Sequence, residues 1–86
     1  MRATEMRCKM TEFENLKDKY TATIQLGLAA NMGYNASKSG NEALHKFCEN
    51  LIDGSNYSDD AKSAMKSELK LLKEAMSKEI ERYYGR

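Results

Sequence analysis

Along the last third of the chain, Ala61, Met65, Leu69, Leu72, Met76, Ile80 and Tyr83 recur at steps of three and four. That spacing lines apolar side chains along one seam of an α-helix. The positions between are mostly Lys, Glu and Ser, with neither Gly nor Pro from Ser58 to Tyr84. The pattern predicts a helix over 58–84, opened by Ser58 as N-cap and by Asp59 and Asp60 at the positive end of the helix dipole. At ~1.5 Å per residue such a helix runs roughly 40 Å, more than a small domain needs.

Upstream, Phe13, Leu16, Tyr20, Ile24, Gly27 and Leu28 share a second apolar face, which predicts a helix over 11–31. Thr11-Glu12-Phe13-Glu14 fits a capping box at its start. Ala22, Leu26, Ala29 and Ala30 widen the apolar arc toward its end, which implies deeper burial there or a covering partner. Gly27 disfavours the helix by up to ~1 kcal/mol relative to Ala, so close approach of another helix is its expected compensation. Gly33 is the expected left-handed cap.

Residues 31–40, rich in Gly, Asn and Ser, read as a connecting loop. Ser39-Gly40-Asn41-Glu42 then reads as a second capping box, opening a helix over 40–53 whose apolar face is Leu44, Phe47, Cys48, Leu51 and Ile52. Gly54 is its expected C-terminal cap. The short connector to Ser58 makes the second and third helices antiparallel neighbours. Residues 1–10 carry Met1, Met6 and Met10 and read either as a flexible extension with an open choice of start residue, or as an extra turn or two of the first apolar stripe.

Composition sharpens this picture. The chain has 86 residues, no Pro and no Val, and few β-branched residues, which favours helix over sheet. The expected fold is all-α: a small three-helix bundle with a long C-terminal helix, one domain over 1–86. A chain this short is marginal without a staple, and Cys8 and Cys48 do not suggest a disulfide framework. The short middle helix would leave part of the long seam uncovered. Leu69, Leu72, Met76, Ile80 and Tyr83 are therefore the expected interface of a homodimer. The N-terminus lacks an apolar signal-peptide core and no run approaches the ~20 apolar residues of a membrane span, so a cytoplasmic protein with no membrane partner is expected.

The formal net charge of +1 gives no global steering toward polyanions. One local feature points to nucleic acid. Lys62, Lys66, Lys70 and Lys73 share a narrow stripe beside the long seam, with Tyr84 near its end as a base-stacking candidate. The competing reading is a solvated face whose lysine stems shield the seam, diluted by Glu68, Glu74, Glu79 and Glu81. Catalytic constellations are poorly represented. His45 is the single histidine, and His45-x-x-Cys48 supplies only half of a zinc site. The Gly-containing loop lacks the Gly-Lys-Ser/Thr ending of a P-loop. No catalytic residue, metal or cofactor is expected. The pattern as a whole points to a non-enzymatic interaction protein, a homodimeric inhibitor or regulator of another macromolecule. Its type is the small accessory protein of phages and mobile elements, such as an anti-defence or antitoxin-like inhibitor. The alternative is an RNA- or DNA-binding helical protein, and a ribonucleoprotein partner would satisfy both.

Overall fold

The computed structural model describes the backbone of residues 2–85 and the side chains of residues 11–85. Among the described residues the chain is all-helical, with three helices and no strand: α1 (Arg2–Ala29), α2 (Tyr34–Asp53) and α3 (Asp59–Tyr83). The molecule is elongated, with extents of 48 × 19 × 16 Å. No described helix is long and apolar enough to cross a membrane.

The α3 boundary follows its sequence signals. Ser58 Oγ accepts from the Ala61 amide at 3.2 Å, and Asp59 and Asp60 fill the first turn. α2 is longer than expected, and α1 begins at Arg2, in line with the second of the two readings of residues 1–10. α1 runs without a break through Thr11–Glu14, so no capping box forms there. The expectations for the side chains of Met1, Met6, Cys8 and Met10 lie outside the described residues. α1 ends at a Schellman motif. Asn31 takes the left-handed conformation (φ 57°), its amide bonds Leu28 O at 2.9 Å, and the Met32 amide reaches Gly27 O at 3.2 Å. Asn31 thus takes the place expected of Gly33, whose φ of 103° instead turns the chain into α2.

α2 begins at Tyr34, not near residue 40, so most of the expected 31–40 loop is helix. Gly40 lies in its interior. Asn41, expected to help start the helix, is buried in its middle.

The core joins Phe13, Tyr20, Ile24 and Leu28 of α1 to Cys48 and Ile52 of α2 and Leu69 and Ile80 of α3. Leu16, Leu44, Met65, Leu72, Met76 and Tyr84 pack around it. α2 and α3 form the tightest pair, and α1 lies against them more loosely. At the centre sits one polar knot. The Tyr20 hydroxyl donates toward both the side-chain oxygen and the main-chain carbonyl of Asn41, and Asn41 Nδ2 donates to Lys73 O at 3.0 Å. One side chain from each of α1 and α2, and the backbone of α3, meet there.

The far end of α3 corrects one expectation about its seam. Tyr83 continues the seam by spacing but is 55% exposed, while Tyr84 packs inward. There α3 faces the start of α2. Tyr84 OH accepts from the Gly33 amide at 2.9 Å and its ring lies edge-on to Tyr34, so the inward side of α3 is the one that carries Tyr84.

Candidate functional site

The lysine stripe does not present four free cations. Lys62 Nζ donates to Asp53 O at 3.0 Å and Lys66 Nζ pairs with Asp53 Oδ1 at 2.9 Å. Both lysines thereby close the C-terminal end of α2, where carbonyl groups and the helix dipole attract positive charge. The Asp53 carboxylate holds the Lys66 ammonium above its usual range. Lys73 lies 4.0 Å from Glu42. Lys70 is exposed without an ion pair among the described residues. Tyr84 has its hydroxyl engaged at Gly33 and its ring beside Tyr34 and Tyr83, so it is a structural closure of the bundle end rather than an open stacking platform.

Between α2 and α3 these residues border a groove of about 340 Å³ lined by Lys38, Asn41, Glu42, His45, Lys70, Lys73, Glu74 and Ser77. Its charges alternate in sign, and Lys38 spends its amine on Ser77 Oγ at 2.6 Å and Glu81 at 2.8 Å. His45 has its Nε2 buried with no hydrogen-bond partner, and its Nδ1 lies 3.8 Å from Glu49. Cys48 is 1% exposed, and burial pushes its thiol up. Cys48 behaves as a small apolar core residue. Among the described residues no group of three or more His, Cys, Asp or Glu side chains is placed to hold a metal ion.

The residues expected at an outer interface divide sharply. Leu69 and Ile80 are 0% exposed inside this chain's own core, so neither is available to a partner on the folded chain. Leu72 and Met76 are half-buried against the same core. Tyr83 alone of the five stands in solvent. The reason is the unexpected length of α2, whose first six residues cover the part of α3 that a shorter helix would have left bare.

Uncovered apolar surface lies elsewhere, on the outer face of α1 and α2. Of six large apolar side chains left exposed among the described residues, Leu26 (71%), Met32 (53%), Phe47 (58%) and Leu51 (47%) belong to α1, α2 and the turn between them. At ~100° per residue, Asn15, Lys19, Ala22, Leu26 and Ala29 of α1, and Ala30 just beyond its end, point to the side away from α3. Ala36, Ala43, Phe47 and Asn50 of α2 point the same way, and all ten are exposed. No residue from Tyr20 to Ser37 is charged, in a chain that is 31% charged. Among the described residues every ion pair between helices includes α3, as in Lys17–Glu68 and Lys38–Glu81, and none spans α1 and α2.

This face also holds a hollow of about 80 Å³ lined by Thr23, Ile24, Gly27, Met32, Ala36, Ser37 and Gly40. The expected close helix approach at Gly27 is absent. Met32 folds over it instead, its Sδ 2.8 Å from where a Cβ would stand. The broadened arc of α1 was legible, but it opens to solvent rather than to deeper core. No family model matches the chain, and comparison with curated proteins and with solved structures finds no match for it either.

Proposed function

We propose that the protein is a small non-enzymatic interaction module that regulates or inhibits another macromolecule, with the outer α1/α2 face as a docking surface. The observation that carries this reading is the concentration of Leu26, Met32, Phe47 and Leu51 among exposed alanines on a face crossed by no ion pair among the described residues. Contiguous apolar surface of that kind is costly to leave in water and marks a docking site. The nucleic-acid alternative, which would rest on Lys62, Lys66, Lys70, Lys73 and Tyr84, draws less support, because acidic or carbonyl partners already engage three of those lysines.

The test is cross-linked capture from the source cells with the parent chain and with Leu26→Glu, Phe47→Glu and Leu71→Glu variants. Leu71 is also exposed (65%) but lies on α3. Loss of the captured species in the first two variants, with retention in the third, is the expected result. Equal capture by all four chains would remove the α1/α2 face as a docking surface.

A further inference from the structure

Two features of the outer α1/α2 face fit one another. The first is the hollow floored by Gly27, Ala36 and Gly40. Gly40 stands in the interior of α2, where glycine disfavours the helix, yet an added Cβ would meet nothing within 4 Å. Nothing inside the chain requires glycine there. Ser37, 6% exposed, lines the same hollow with its Oγ unpartnered. The second feature is Phe47, a bulky ring left 58% exposed two turns farther along α2. One copy thus carries both a hole and a knob that its own fold does not bring together.

Building on the docking face inferred above, we propose that its occupant is a second copy of this chain, related by a two-fold axis perpendicular to the face, so that Phe47 of each copy fills the other's hollow. Phe47 lies seven residues beyond Gly40, about 10 Å along the helix. A two-fold axis halfway between knob and hole carries each Phe47 onto the opposite hollow by symmetry. The residues at that halfway level are Ala43 on α2 and, on the antiparallel α1, Ala22. Both are exposed and small, which lets the two faces approach closely. The contact is isologous and closes at two copies.

Charge and size agree with self-association. A two-fold interface lays a surface on itself, so any net charge on it is doubled at short range. This face is nearly neutral, with Lys19 the charged residue nearest its centre and a stem long enough to carry the amine to the rim. The face spans roughly 30 Å, the rise of about twenty helical residues, and the two shorter extents of the molecule are 19 and 16 Å. Its projected area is roughly 600 Å², on the order of the ~800 Å² per partner that a stable interface buries.

The deciding experiment is sedimentation velocity on the full chain from ~1 to ~200 μM, a range that brackets micromolar dissociation constants. The parent is expected to sediment as a dimer. Phe47→Ala removes the knob, and Gly40→Leu fills the hole from within the chain; each is expected to weaken association at least tenfold, with far-UV circular dichroism unchanged. Leu71→Ala is expected to remain dimeric. A parent that stays monomeric throughout would overturn self-association while leaving the face open to a different protein. A dimer that survives both Phe47→Ala and Gly40→Leu would overturn the knob-and-hole geometry and count against the face itself.

Discussion

The hydroxyl of Tyr20 and the side chain of Asn41 are joined in the centre of the bundle, 1% and 2% exposed, with Asn41 passing the connection on to the Lys73 carbonyl. Buried polar groups of this kind cost little while satisfied and much when one partner is removed. Tyr20→Phe is expected to cost ~1–3 kcal/mol in urea unfolding, because it leaves an Asn41 acceptor without its donor. Pairing it with Asn41→Leu in a double-mutant cycle should reveal a coupling of ~0.5–3 kcal/mol. Additive losses would show that the two side chains do not act as a unit.

The same burial makes the protein sensitive to alkali. Burial first, and the nearby Cys48 second, push the Tyr20 phenol well above its ordinary 10.0, and burial raises the Cys48 thiol above 9.0. Both groups are favoured in their protonated form by folding, so their contribution is fully present below their unfolded values and is lost as pH rises through the folded ones. The urea midpoint is expected to be flat through neutral pH and to fall from about pH 9 upward. In Tyr20→Phe the part of the fall that begins near pH 10 should disappear.

Leu69 and Leu71 stand two positions apart on α3 with opposite environments, 0% and 65% exposed. Leu69→Ala is expected to cost ~2–5 kcal/mol, a large share of what an 86-residue chain can hold. Leu71→Ala should stay within ~0.5 kcal/mol. Thermal melts of the two variants side by side check the α3 seam directly, and equal losses would mean that it is rotated from the position described.

Glycine replacement separates two kinds of empty space. Gly40→Ala meets no neighbour, so relief of helix propensity alone should stabilise the isolated chain by ~0.5–1 kcal/mol. Gly27→Ala must displace the Met32 thioether, the mobile end of a flexible side chain, and its gain should be smaller. Denaturant titration at concentrations too low for association reads both.

What the chain reveals by pattern depends on which residues carry the pattern. The α3 seam and the Ser58 cap were legible because Met65, Leu69, Leu72, Met76 and Ile80 are apolar and the cap is local chemistry. The first turns of α2 were not, because Gly, Asn and Ser are weak helix formers and read as loop. Their inward face does step by threes and fours through Tyr34, Ser37, Asn41, His45, Cys48 and Ile52. Half of those residues are polar, so a count of apolar positions passes over them. Tertiary partners, Tyr20 above all, override local propensity there. The partners of the lysine stripe were hidden for a related reason. Spacing puts the four amines on one side of α3, but only the folded hairpin brings Asp53 and Glu42 up to meet them. The ten exposed positions of the outer α1/α2 face were partly visible in Ala22, Leu26, Ala29 and Ala30, though spacing alone could not say that this arc ends in solvent.

The looser seating of α1 on the α2–α3 hairpin has a consequence for how the molecule opens. Only Lys17–Glu68 ties α1 to another helix by an ion pair among the described residues, whereas the hairpin is laced by Lys38, Lys66 and Lys73. Cooperative opening should therefore come in two tiers, with the hairpin amides exchanging only on global unfolding and those of α1 through a cheaper local release. A ligand that bridges the outer sides of α1 and α2 binds only the closed form, and by mass action it must draw α1 up to the protection of the hairpin. Deuterium uptake along α1 is thus a built-in gauge of whether that surface is occupied, readable without knowing beforehand what occupies it.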